Sequence, residues 1–189
     1  IMSKLGLCLA GGGARGAYQI GVAKRLEELG ILNQVSVFSG TSIGSVNAAL
    51  LATMPVEKAY QLWLGVTTDE IKRTESIFSR IRMEKIKLIE NGIFTIEALR
   101  ARLVDYIDED ALKRATVFVT LSKGGTEDES IVGLFKSAYS HYIKKEQKTW
   151  YPCLKDYAKD DMIDMILASC SIPIVFPPVT LEDHRYYDG

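Results

Sequence analysis

The sequence offers little that would staple it, bind a metal or anchor it. Three cysteines, Cys8, Cys153 and Cys170, make an odd number without a C-x-x-C spacing, and the two histidines, His141 and His184, cluster with none of them. A disulfide framework and a zinc site are therefore disfavoured, and a reduced, cytoplasmic protein is the simplest reading. No run of about 18 apolar residues occurs, so nothing reads as membrane-spanning. Residues 5–10 after Lys4 imitate a signal peptide, but that apolar run is shorter than the roughly 7–15 residues one needs, and Arg15 follows at once. Charge of one sign is missing too: 23 Lys and Arg face 24 Asp and Glu, a net charge of −1. A dedicated nucleic-acid binder would need a basic excess to displace phosphate counterions, so that class is set aside.

What remains is enough for one domain over residues 1–189. At 47% hydrophobic residues, a chain of this length buries roughly 70% of its unfolded surface and needs no cross-link. Residues 5–10 are continuously apolar, as a parallel strand covered on both faces would be, and run into Gly11-Gly12-Gly13. Residues 16–29 carry Ala17, Ile20, Gly21, Ala23 and Leu26 at helical spacing, with Gly30 as a C-cap. Residues 35–38 form a second strand signal, followed at once by Gly40-Thr41-Ser42-Ile43-Gly44 and a helix-forming stretch over 46–52. The order is strand, helix, strand, helix.

Residues 55–114 read as helical, with Pro55 at N1, breaks at Gly65 and Asn91-Gly92, and a short last helix near 110–114. A third strand is expected over 116–121 and a fourth over 131–135, joined as a candidate hairpin by the acidic, turn-rich 122–130. A helix over 160–168 ends before Pro173, and 179–181 and 186–187 are short strand candidates around a turn.

Gly40-Thr41-Ser42-Ile43-Gly44 matches G-x-S-x-G between a strand and a helix, where the pattern signifies a nucleophile elbow. The tight turn would strain the serine and leave its Oγ exposed above the sheet, at a helix N-terminus that favours developing negative charge. The plainer alternative is a glycine-rich connection with Ser42 as an ordinary N-cap. Gly11-Gly12-Gly13-Ala14-Arg15-Gly16 follows the first strand, so its bare N–H groups form an anion site or an oxyanion hole. It also fits G-x-G-x-x-G, but the second strand ends without the acidic residue that a ribose requires, and no G-K-[ST] is present. Arg15 either steadies this loop, meets a phosphate or is merely solvated. An activated serine needs a base, and neither His141 nor His184 suits: the last acid, Asp188, follows the last histidine, against the serine–acid–histidine order. A carboxylate is left.

Those blocks resemble the patatin-like phospholipases, serine lipid acyl hydrolases that work with a Ser–Asp dyad. The glycine block is similar to the family's oxyanion hole, Gly40 to Gly44 to its elbow, and Asp188-Gly189 to the start of its D-G-[GA] block. Ala168-Ser169, Pro173, Phe176 and Pro178 are similar to the segment leading into that aspartate. The resemblance implies an α/β/α sandwich with a mostly parallel central sheet. It further implies Ser42 as nucleophile, Asp188 as base, and Gly11, Gly12 and Gly13 as oxyanion donors, without metal or cofactor. Its implied partner is a phospholipid, lysophospholipid or acylglycerol, met through peripheral contact with a membrane.

The family domain continues past this block, so the sequence predicts a truncated chain with Asp188 beside a mobile end and an edge open to a second copy. For Asp188 to act as a base, either an apolar site raises its pKa, so that partial burial is expected, or the reaction depends heavily on oxyanion stabilisation. Residues 71–89 interleave Lys72, Arg73, Arg80, Arg82, Lys85 and Lys87 with apolar residues, either a membrane-surface helix or one packed on the core. Glu127-Asp128-Glu129 lacks an EF-hand pattern and reads as a solvated loop. A Rossmann-type nucleotide module and a non-catalytic lipid-binding or assembly fragment are the rival functions.

Overall fold

A computed structural model describes residues 5–65, 96–123, 149–171, 179–181 and 184–188. The expectations for 71–89, Asn91-Gly92, 127–129, 131–135, His141, Pro173 and Gly189 lie outside them.

The apolar run at the start forms strand β1, Leu5–Leu9, and stops where the glycines begin. Helix α1, Gly16–Glu28, follows a 3-10 turn at Gly13–Arg15. It closes as the sequence predicts. Gly30 takes φ 69°, its N–H donates to Glu27 O, and the Ile31 N–H donates to Leu26 O, a Schellman pair. Strand β2, Val35–Gly40, leads through Thr41 and Ser42 into helix α2, Ile43–Thr53. Helix α3, Val56–Leu64, starts with Pro55 at the N-cap, one position before the expected N1, and ends at Gly65. Helix α4, Ile96–Tyr106, and helix α5, Glu109–Arg114, follow, the second capped by the Asp108 side chain accepting from the Ala111 N–H.

β1, β2 and β3, Val117–Val119, form a parallel sheet in the order β1-β2-β3. Helix α2 is buried continuously from Gly44 to Leu51, because it packs on all three strands and on α1, α3, α5 and helix α6, Lys159–Ser169. A helix with no solvent face needs an apolar circumference, which Val46, Ala48, Ala49, Leu50 and Leu51 supply. Ile163 and Ile166 of α6 join the same core with Val117 and Val119.

Three expectations are corrected. The single strand over 116–121 is two: β3 ends at Val119, and β4, Leu121–Lys123, begins after Thr120 and enters a different sheet. That sheet is antiparallel, an arrangement that the sequence pattern alone does not imply. With β5, Thr149–Trp150, β6, Val179–Leu181, and β7, His184–Asp188, it has the order β5-β4-β7-β6. Residues 122–123 and His184 thereby belong to strands, not to the turns assigned to them. Finally, β1 is not covered on both faces: Leu9 is buried, but Gly6 and Cys8 are exposed. Among the described residues β1 and β3 are the two edges of the parallel sheet. The three cysteines form no disulfide, and no described helix is long and apolar enough to cross a membrane.

Candidate active site

The parallel strands end level with one another. Leu9 pairs with Gly40, and Gly40 with Val119, so the residues that follow all three strands emerge at one rim. The carboxyl rim of a parallel sheet is where α/β folds place their chemistry. Here it carries the glycine loop after β1, the serine turn after β2 and Thr120 after β3. The turns are stitched together: the Thr41 N–H donates to Leu9 O at 3.1 Å, the Thr120 N–H to Gly40 O at 3.0 Å, and Thr41 Oγ1 bonds Thr120 Oγ1 at 2.9 Å.

Ser42 has φ 54° and ψ −132° and is the one non-glycine residue with positive φ among those described. Such a conformation costs about 1–3 kcal/mol and persists only where its surroundings enforce it. Those surroundings are visible. The Ser42 N–H donates to Ser169 Oγ at 2.9 Å, and its carbonyl accepts from Ser45 Oγ at 2.6 Å and from the Ser45 N–H at 2.8 Å. Ser169 Oγ in turn donates to Thr120 O at 2.8 Å. Although Ser42 occupies the N-cap position of α2, its side chain caps no N–H, so the N-cap alternative lacks the hydrogen bond that defines it. The flanking glycines are required by space. A Cβ on Gly40 would lie 2.2 Å from Gly44 O, and one on Gly44 would lie 2.1 Å from Leu9 O.

Ser42 is only 9% exposed, which corrects the expectation of a hydroxyl standing clear of the sheet. A Cβ on Gly11 would come within 3.1 Å of Ser42 Cβ and 3.9 Å of its Oγ, so the loop lies directly beside the serine and a larger residue would crowd it. No described residue accepts from the N–H groups of Gly11, Gly12 or Gly13, and Gly13 adopts φ 55°. Arg15 is exposed at the end of this loop, its side chain running alongside Gly12.

Asp188 is the last residue of β7 and pairs with Leu121, the residue after Thr120. Register therefore brings its backbone to the rim that Ser42 occupies. The expected partial burial of its carboxyl lies outside the described side chains. His184 begins β7 opposite Leu181, four residues from Asp188 along the strand. No group of three or more His, Cys, Asp or Glu suited to a metal occurs among the described residues. Sequence reasoning missed Ser169 and Thr120. Ser169 had a signal, its place in the stretch before Asp188 that resembles the family, but nothing local told of its bond to a residue 127 positions away.

The chain is 56% identical over 48 residues to the lysophospholipase nte1 of Aspergillus terreus, an alignment covering 25% of this chain and 3% of that protein. It is 27% identical over 196 residues to the uncharacterized protein L620 of Acanthamoeba polyphaga mimivirus, covering 89% of this chain and 50% of L620. Among solved structures, VipD from Legionella pneumophila superposes with a TM-score of 0.52 over 100% of this chain and 46% of VipD, at 16% identity, a likeness of fold. The chain thus spans half or less of each of these proteins. The family model of the patatin-like phospholipases matches residues 7–189, from β1 through the last strand, and the chain belongs to that family.

Proposed function

We propose that this chain carries the catalytic centre of a lipid acyl hydrolase, of phospholipase A or lysophospholipase type, acting through an acyl-serine. The observation that carries the reading is the strained Ser42 at a rim shared by the glycine loop and by the strand ending in Asp188. Asp188 takes the proton of Ser42 Oγ as the oxygen attacks the ester carbonyl carbon, and the N–H groups of Gly11, Gly12 and Gly13 receive the oxyanion. Collapse expels the alcohol, which takes the proton back, and leaves the acyl chain on Ser42. Water then repeats the sequence and releases the fatty acid. Preorganised donors of this kind are worth about 3–4 kcal/mol each. Arg15, exposed beside the loop, meets the phosphate of a phospholipid headgroup. The nte1 proteins, named as lysophospholipases, favour a lysophospholipid as the first substrate to try, met at a membrane surface.

Ser42→Ala is expected to abolish fatty-acid release from lysophosphatidylcholine and labelling by a fluorophosphonate probe. Asp188→Asn is expected to lower kcat by about 10²–10⁴, the range for loss of a general base. Turnover retained by Ser42→Ala would remove the serine from its role. An elbow that stays folded yet is never labelled would favour a non-catalytic lipid-binding role instead.

A further inference from the structure

We infer that Gln19 and Asn47 are positioning residues that set the glycine loop over the Ser42 elbow; this rests on the reading of Ser42 as the reacting group. Asn47 is fully buried in α2, the helix that begins directly after Ser42. Three of the four hydrogen-bonding positions of its amide are used, each with a different residue of α1 or α3. Nδ2 donates to Gly16 O at 2.9 Å and to Gln19 Oε1 at 2.8 Å, and Oδ1 accepts from Trp63 Nε1 of α3 at 2.8 Å. Gln19 Nε2 then donates to Ala10 O at 2.6 Å. Ala10 and Gly16 bracket the loop. One side chain on the nucleophile's own helix therefore holds the carboxyl end of the loop directly and its amino end through Gln19.

Packing alone does not explain this choice of residues. An apolar side chain of similar shape would fill the site between α1, α2 and α3 without burying an amide, whereas Asn47 and Gln19 each donate to a carbonyl that bounds the loop, those of Gly16 and Ala10. The demand comes from the chemistry: oxyanion donors act only within a few tenths of an ångström of their place, and a 1 Å displacement can cost about 10² in rate. Flexible by composition, the glycine loop gains its position from the Ala10 and Gly16 carbonyls.

Gln19 gives the cleaner test, because it is only half-buried and replacing Asn47 would strand the Trp63 N–H. In the full chain, Gln19→Glu keeps the acceptor for Asn47 and, when ionised, cannot donate to Ala10 O; Gln19→Met removes both bonds. Both variants are expected to lower kcat on lysophosphatidylcholine about 10-fold or more at neutral pH, with KM nearly unchanged. Below the pKa of the new carboxyl, its proton restores a donor, so the ratio of Gln19→Glu to wild-type kcat rises as pH falls. The same ratio for Gln19→Met stays flat. Wild-type kcat in Gln19→Met, or a Gln19→Glu ratio independent of pH, overturns the positioning role while Ser42→Ala remains inactive and the serine reading survives. A wild-type chain that cleaves no acyl ester overturns both.

Discussion

The parallel sheet and the antiparallel sheet meet at Thr120, and they hold their proposed functional residues by different means. Ser42 is held by two side chains, Ser169 from α6 on its N–H and Ser45 from α2 on its carbonyl, with the backbone of Gly11 beside its Cβ. Asp188 is delivered by register, through Leu121↔Asp188 on one flank of β7 and the pairing of β7 with β6 on the other. The difference follows from what each backbone must do. A residue in a strained conformation needs specific partners to stay there, whereas an extended residue needs only a ladder, because a slip of one position would turn its side chain to the opposite face.

The sharpest way to break the first half of that contrast is to add a single methyl group. Gly44→Ala places a Cβ 2.1 Å from Leu9 O and 2.8 Å from Ala10 O, so α2 must part from the end of β1. We expect a loss of about 3 kcal/mol or more in urea unfolding. Gly21→Ala in α1 is the control, since a Cβ there meets nothing within 4 Å. Helix propensity alone then predicts a gain of about 0.5–1 kcal/mol. If the two substitutions behave alike, close approach is not what the elbow glycines serve.

Ser169→Ala comes next in size. It leaves the buried Ser42 N–H without its acceptor and removes one donor from Thr120 O, a cost of about 1–3 kcal/mol. Because the same hydroxyl joins the Ser42 turn to the residue preceding Leu121, acyl-ester turnover should fall with stability while KM holds. Thermal unfolding alongside kcat checks both, and full activity in a destabilised variant would confine Ser169 to the fold.

How much of this was legible follows the same division. Gly11 to Gly13, Gly30 and Gly40 to Gly44 punctuate the chain at the points where β1, α1 and β2 end, so the βαβα start and the serine turn could be read locally. The break at Thr120 could not. Residues 116–121 have uniform strand propensity, and what separates β3 from β4 is a set of tertiary bonds to Gly40, Thr41 and Ser169. The burial of Ser42 is illegible for a related reason: it depends on what comes to lie beside the serine, Ser169 from 127 positions away and a glycine loop whose composition leaves its course free. The exposed Cys8 means that one face of β1 is left uncovered, and which faces are covered is not encoded in a run of apolar residues.

The smallest expected effect separates a neutral brace from a charged one. On the surface between α1 and α3, Lys24 Nζ lies 2.7 Å from Glu57 Oε2 and 4.2 Å above the Tyr60 ring, and Gln61 Nε2 donates to Glu57 Oε1 at 2.8 Å. The hydrogen bond from Lys24, then that from Gln61, holds the Glu57 carboxyl below its usual range, and the bond to Glu57 raises Lys24. A depressed carboxylate stabilises the fold above its unfolded pKa of roughly 4.3 and loses that contribution as pH falls through the lower folded value. A raised lysine contributes fully below roughly 10.4 and loses its share as pH rises through the higher folded value. The pair therefore acts on a plateau between those limits, weakly, because both groups are exposed and salt screens them. Glu57→Gln should lower the melting temperature slightly on that plateau, less so in high salt, and not at all once acid has protonated the wild-type carboxyl. Ser169→Ala, which removes an uncharged hydroxyl, should show a deficit that neither salt nor pH changes across the same range. A melting-temperature difference for Ser169→Ala that vanished in acid would mean that the serine turn is held by charge after all.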